Sequence, residues 1–373
     1  VIGVDYMSSK MIKMLGGIIG GFVVLIIIIF VIASCSKKKL NYVDIQTSAK
    51  RSAVRYYNDN KKDLPSSDGD TTSITLKKLI SEGYLEDPAK TYKNDELSCD
   101  GTITVSNNNG FYLYSPNISC NKDYKTTLLK DKIVDNSLVE TGPGLYQNKD
   151  EYVFKGEVTN NYVKFPDTGE VFRIIRINSD GTIRLMQTDS YDDELVSWDD
   201  RYNIELGSEY GINEYIYNDI NSRIKDAVNG YYNNTSLWTD TAKSYVTTQT
   251  LCIGKRSTAD STKDGSTECS VKLAGQQFGL IAAYEFLEAS LDNNCTSTES
   301  TSCANYNWLS NAERSTWTIT ASSESSAKIY QLYYTLSKSY AYNQKRAMLV
   351  FNMSSNAYYI SGTGTSDDPY VFA

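Results

Sequence analysis

Cys99, Cys120, Cys252, Cys269, Cys295 and Cys303 fall into three sequence-adjacent couples, in a chain with no histidine. Thiols ligate metals, act as nucleophiles or oxidise to disulfides. The first two chemistries lack support here. No Cys-x-x-Cys occurs, and no imidazole can complete a zinc set or activate a thiol. Oxidation remains. Six cysteines admit many connectivities, and adjacency selects Cys99–Cys120, Cys252–Cys269 and Cys295–Cys303. The first couple flanks "DGTITVSNNNGFYLYSPNIS", two β-rich runs around Asn-Asn-Gly, and a hairpin there brings its outer ends within disulfide reach. The second brackets a loop rich in Ser, Thr, Lys and Gly. The third brackets "TSTESTS", which contains no core-forming residue. Paired cysteines imply an oxidising, extracytoplasmic compartment.

Other chemistries find less. Without histidine, a Ser-His-Asp triad and a Cys-His dyad are excluded. The 45 acidic residues single out no pair for glycoside hydrolysis. "DSYDDE" at 189–194 offers calcium-type oxygen ligands but lacks EF-hand spacing and reads as a solvated loop. "GTGT" at 362–365 lacks the lysine and following helix of a phosphate loop. No catalytic residue, metal ligand or cofactor is assigned, and a non-enzyme is expected. A net charge of −8 argues against nucleic acid. What stands out is tyrosine, at 30 residues, a side chain that gives rigid amphipathic contact area at low entropic cost. "KIYQLYYTLSKSYAYNQK", 328–345, places Tyr330, Tyr333, Tyr334, Tyr340 and Tyr342 among small polar residues. These five are the candidate ligand-binding residues, set against the alternative that their rings pack into the core.

An uncharged apolar run, Leu15–Ala33, lies between Lys10 and Lys13 on one side and Lys37–Lys39 on the other. Its length is close to the roughly 20 residues of a membrane-spanning helix, and it exceeds the h-region of an ordinary signal peptide. Both points favour a retained helix. "IASC", 32–35, resembles the lipobox of bacterial lipoproteins, and that resemblance implies Cys35 as a lipid-bearing residue instead. The flanking lysines place the large C-terminal part in the cytoplasm by the positive-inside rule. The cysteine couples place it outside, and they take precedence because long segments translocate largely regardless of flanking charge.

The elements that must position these residues read as follows. Residues 1–36 form the membrane anchor. In 40–127, apolar residues at Val43, Ile45, Ala49, Ala53, Val54 and Tyr57 have helical spacing. "ITLKKLISEGYLEDP" reads as a short helix ended near Gly83 and Pro88, and the Asn-Asn-Gly hairpin follows. Residues 128–145, with Gly-Pro-Gly at 142–144, read as a linker. In 146–373, alternation broken at Asn160-Asn161 and at Ser179-Asp180-Gly181 predicts two hairpins. Helical spacing predicts helices over 211–228 and in "QQFGLIAAYEFLEASL". The closing "PYVFA" alternates, and it is expected to join the sheet formed by 151–188 as a clasp, because it would otherwise be an unpaired edge.

Two resemblances follow. A helix after the apolar run, a Leu-rich short helix, "EGYL" and a small sheet resemble type IV pilins and pseudopilins. Gly21-Phe22 lies inside the apolar run, however, and Ile26 stands where a prepilin carries Glu. "YVFKGEVTNNYVKF", "FRIIRINSDGTIRLM", "FGLIAAYEF", "WTITAS" and "SGTGTSDDPYVF" resemble a recurring surface module of Gram-positive bacteria related to the C-type-lectin-like fold, the fold of formylglycine-generating enzymes. Phe172 stands where Trp is usual, and "KRAMLVF" replaces an Arg-Pro-Val segment. Formylglycine chemistry would need a reactive cysteine pair, whereas these cysteines lie in polar loops. The resemblances imply an α+β chain: an N-terminal membrane helix, a small pilin-like α/β domain, then a C-type-lectin-like α+β domain. They imply a cell-membrane protein with its bulk extracytoplasmic, non-catalytic, binding or adhering to an extracellular protein or glycan through the C-terminal domain. The alternative is a pseudopilin-like structural component of a secretion or pilus system.

Overall fold

A computed structural model describes residues 39–188, 195–235, 238–311 and 315–373. The first described helix, Tyr42–Asp59, is capped by Asn41, whose Oδ1 accepts from Val43 N at 3.0 Å. Ile45, Ala49, Ala53, Tyr56 and Tyr57 form its buried stripe. They pack on a four-stranded antiparallel sheet ordered Thr71–Thr75, Cys99–Asn108, Phe111–Cys120, Tyr124–Lys125. Asn109 and Gly110 both take positive φ, 55° and 86°, and close the hairpin in two residues, the mirror-type turn whose twist suits paired strands. Ten residues on, Cys99 lies directly opposite Cys120, and the two are bridged. Cys252–Cys269 and Cys295–Cys303 are bridged as well, so all three disulfides form as expected.

The larger core lies under a curled, half-barrel sheet. Its strand order is Val246–Thr247, Val350–Met353, Ile183–Gln187, Val171–Ile177, Tyr162–Lys164, Tyr370–Phe372, Tyr359–Ser361. A second sheet runs Leu195–Ser197, Gln344–Arg346, Thr316–Ala321, Lys328–Leu332, Leu336–Tyr340. Residues 128–145 contain a helix, Leu129–Ser137, whose Leu129 and Ile133 are buried in this larger core. The two cores meet through hydrogen bonds such as Thr248 Oγ1 to Asp68 Oδ2, 2.7 Å, and Asn356 Nδ2 to Ser106 Oγ, 3.2 Å.

The expected fold class is corrected. Strand accounts for 34% and helix for 23%, so the molecule is mostly β and not α+β. Among the described residues no helix is long and apolar enough to cross a membrane. The run Leu15–Ala33, and with it Cys35, lies outside the described residues. The physical reason for the correction is local. The helical spacing over 211–228 is interrupted by Asn218 and Asp219, both at positive φ (48° and 62°), which turn Ile216–Tyr217 back on Ile220–Asn221. Helix begins only at Arg223, behind the cap Ser222. In "QQFGLIAAYEFLEASL" the helix is confined to Ala283–Ala289, because Phe278–Gly279 pairs with Val350–Phe351 as strand.

The hairpin expected at Asn160-Asn161 is also absent. Glu151–Lys155 and Tyr162–Lys164 both pair with Val171–Ile177, not with each other. Buried Asn161 instead donates to Ile174 O at 2.9 Å and accepts from Arg173. The hairpin at 179–181 does form, with Ile177 opposite Ile183.

The C-terminal strand joins the sheet as expected. Tyr370 pairs parallel with Val163, and Phe372 pairs antiparallel with Tyr359. Phe372 lies 5.0 Å from the Phe165 ring and 4.9 Å from Tyr245, centroid to centroid. Phe372→Ala should destabilise the larger core by about 3–5 kcal/mol, read as a shift in urea midpoint, and an unchanged midpoint would show the strand to be dispensable. Replacing Cys99 and Cys120 together by alanine opens a link of sequence separation 21 and should lower stability by about 3 kcal/mol in the chain-entropy account. The Cys295–Cys303 pair, at separation 8, should give a smaller loss, and the reverse ranking in urea titrations would mean that native-state packing sets the difference.

Candidate functional site

The structure separates the five tyrosines singled out above. Tyr330 is core: it is 1% exposed, and its phenol oxygen accepts from the Thr298 hydroxyl at 3.4 Å. Burial raises its pKa. Tyr333 and Tyr334 sit exposed at the tip of the hairpin Lys328–Leu332/Leu336–Tyr340, edge to face at 4.4 Å. Tyr340 and Tyr342 lie at the other end, where Tyr340 pairs with Lys328. There they meet Tyr210, which no reading of the 328–345 stretch could supply. The three centroids form a triangle: Tyr210–Tyr340 4.9 Å, Tyr340–Tyr342 5.7 Å and Tyr210–Tyr342 5.8 Å. Interplanar angles of 21–31° make them one platform. Lys328 Nζ lies 4.8 Å from the Tyr340 centroid, a cation–π contact.

Tyr210 is delivered by residues 199–211, a segment fixed by buried polar clamps. Asn203, 2% exposed, donates through Nδ2 to Gly211 O at 2.7 Å and to Ser326 O at 3.2 Å. Its backbone exchanges hydrogen bonds with Ser208, and its Oδ1 accepts from Leu206 N. Asp199 N donates to Ala341 O at 3.0 Å, which ties the segment to the Tyr340–Tyr342 turn. At Gly211, φ is +76° and a Cβ would lie 2.0 Å from Asp199 O, so this close approach admits only glycine. Buried Trp198, next to the segment in the chain, lies 6.1 Å from buried Trp317, whose Nε1 donates to Val196 O.

The outer side of this segment is apolar. Tyr202, Ile204, Leu206 and Tyr210 are all exposed, Ile204 at 75% and Leu206 at 47%. The first three share this segment with Tyr210 of the ring platform. No motif in 199–211 signals it; the signal is an apolar pair in a turn that the fold cannot bury.

The molecule's strongest charges lie elsewhere and face each other. Glu285, fully buried, accepts from Arg184 Nη2 at 3.1 Å, from Arg176 Nη2 at 3.3 Å and from Ala282 N at 2.8 Å. Burial works against its charge, but Arg184 and Arg176 outweigh this and hold the carboxyl below its usual range. Arg256 and Glu268, both 0% exposed, pair at 2.8 Å. Among the described residues no three His, Cys, Asp or Glu groups could together hold a metal ion; "DSYDDE", 189–194, lies outside them. Comparisons of the chain with protein-family models, curated proteins and solved structures find no match.

A cleft of about 920 Å³ runs along the helix Tyr42–Asp59, lined by Asp44, Lys50, Arg51, Tyr84 and Tyr358 among others. Lys50 Nζ lies 3.3 Å from the Tyr245 hydroxyl and within 6 Å of the Tyr245 and Tyr358 ring centroids. Burial pushes the amine down to about 8 from 10.5, and Asp167 offsets part of that. Below pH 8 the amine is charged in both folded and unfolded states, so its desolvation opposes folding in full. Between pH 8 and 10.5 the unfolded chain binds more protons, and stability rises with pH. Lys50→Met should therefore be more stable than wild type at pH 7, and the gap should narrow from pH 8 to 10. Urea unfolding at each pH checks this; a gap that stays constant refutes the desolvated amine.

Proposed function

We propose that this chain is a non-catalytic binding or adhesion protein acting outside the cytoplasm, held at a membrane by its N-terminal end. The observation that carries the reading is the platform of Tyr210, Tyr340 and Tyr342, whose Tyr210 comes from the same hydrogen-bonded segment that exposes Ile204 and Leu206. Pre-organised aromatic surface binds with little conformational entropy to lose. Three disulfides, one joining the outer ends of a hairpin and two closing polar loops with little apolar material of their own, support an oxidising compartment.

Two measurements test the reading. On intact cells expressing the full chain, a membrane-impermeant amine label should reach it, and thiol mapping without reductant should find the six paired cysteines unreactive. Detergent-solubilised full-length protein should bind members of a panel of extracellular proteins and glycans. That binding should fall at least tenfold, about 1.4 kcal/mol, in Tyr210→Ala/Tyr342→Ala with thermal unfolding unchanged. A chain shielded on intact cells overturns the location, and binding indifferent to the double substitution overturns the face.

A further inference from the structure

We infer that the occupant of this face is a protein surface carrying an apolar depression rimmed by lysine or arginine, with Ile204 and Leu206 as the anchors that enter it. The inference rests on the face being the binding surface, as proposed above. Ile204 and Leu206 flank Glu205 in a turn closed by the reciprocal hydrogen bonds of Asn203 and Ser208, with Gly207 N donating to Ile204 O. The buried Asn203 side chain holds that turn to Gly211 and Ser326. The anchors are thus displayed in one arrangement before any partner arrives, which reduces the entropy of docking.

Chemistry separates the candidate occupants. A sugar ring gains from flat aromatic faces with hydrogen-bonding groups around them, which the tyrosines supply, but the exposed branched aliphatic side chains Ile204 and Leu206 of the same segment offer it neither. A protein interface centre is apolar and aromatic, and its rim is polar. Here the centre is Ile204, Leu206 and the tyrosine platform, and the rim is acidic. Glu205 and Glu209 are exposed, and among the described residues neither makes an ion pair. Arg201 pairs with Asp199 and Arg223 with Asp200, while Lys328 keeps its charge over the Tyr340 ring, so the two unpaired carboxylates outnumber it. An anionic lipid surface would repel Glu205, which stands between the two anchors. A basic-rimmed protein pocket complements both features, and charge at such a rim acts mainly on association rate and salt dependence.

The test places a photo-crosslinking benzoylphenylalanine at Leu206 of the full chain on living cells, with Val271, also exposed, as control position. Adducts are identified by mass. The expected result is a peptide adduct to one protein from position 206 and not from 271. That protein, purified, should bind wild type with an association rate that falls as salt rises. Leu206→Asp should weaken the complex at least tenfold, and Glu205→Lys/Glu209→Lys should slow association at least fivefold at low salt. Leu206 is exposed, so these variants should unfold at the wild-type temperature. A lipid or glycan adduct overturns the protein class while leaving the face as the binding surface. An adduct to a second copy of this chain, or a rate indifferent to the two charge reversals, overturns the basic rim. No adduct from 206, nor from a second probe at Tyr342, overturns the face itself.

Discussion

Phe165 is the ring on which the larger core closes. Its centroid lies 5.1 Å from Phe172, 5.8 Å from Trp238, 6.1 Å from Tyr245, 5.8 Å from Phe351 and 5.0 Å from Phe372, all in edge-to-face arrangements. Those five residues lie in four separate stretches of the chain, Trp238 and Tyr245 flanking one short helix. Phe172 and Phe351 belong to interior strands of the curled sheet, and Phe372 to the C-terminal strand. Edge-to-face rings tolerate the varied approach angles of a strongly curved sheet better than flat stacking would. The same cluster reaches the smaller core, because Tyr245 carries the Lys50 contact at its hydroxyl. Sheet curvature, the C-terminal clasp and the seating of the first helix thus share one packing centre.

The tyrosine platform is rigid for a different reason. Its backbone is irregular, and irregular backbone near a core must have its polar groups paired. Two buried asparagines do this. Asn203 ties the 199–211 segment to Gly211 and Ser326, and Asn213 donates to Ser322 O at 2.8 Å and Lys328 O at 3.0 Å. Both reach the connection between Thr316–Ala321 and Lys328–Leu332, so the long loop is anchored to the sheet that also carries Tyr340. An amide side chain suits this task, since it carries two donors and an acceptor and needs no counter-ion. The outer residues are left free to be apolar.

What was legible in the sequence was short-range. Asn109-Gly110 predicts a two-residue turn because both positions need φ > 0, and the ladder then brings Cys99 opposite Cys120 without further information. Alternation likewise revealed the strands around 179–181 and the C-terminal strand. Helical spacing misled wherever strong turn formers lay inside it. At 211–228 the Asn218-Asp219 dipeptide outweighs the periodicity of Ile212, Ile216 and Ile220, since two such residues accept left-handed backbone that a helix forbids. The site was half visible. Tyr340 and Tyr342 lie in the Tyr-rich stretch, but Tyr330 in the same stretch is core, because its strand is covered on both sides. Tyr210 joins from a segment 130 residues earlier, and only the Asn203, Gly211 and Asp199 contacts bring it there.

The distribution of charge completes the argument. Arg176 and Arg184 pair with Glu285 and Glu288 of the helix Ala283–Ala289, and Arg256 and Glu268 lie inside the loop stapled by Cys252–Cys269. A buried ion pair seldom adds net stability over an apolar replacement of the same volume, but removing one partner strands a charge at a cost of several kcal/mol. Such pairs therefore act as registration devices: Arg176 and Arg184, on neighbouring strands, accept only the rotation of Ala283–Ala289 that presents Glu285 to both. Arg256, bonded to Glu268, Asp260 and Thr262 O, similarly fixes a loop with almost no apolar content. With these groups committed to one another inside the molecule, the carboxylates Glu205 and Glu209, in the segment that delivers Tyr210, are left exposed and make no ion pair among the described residues. A surface with an apolar centre and an acidic rim follows from where the fold has placed its arginines.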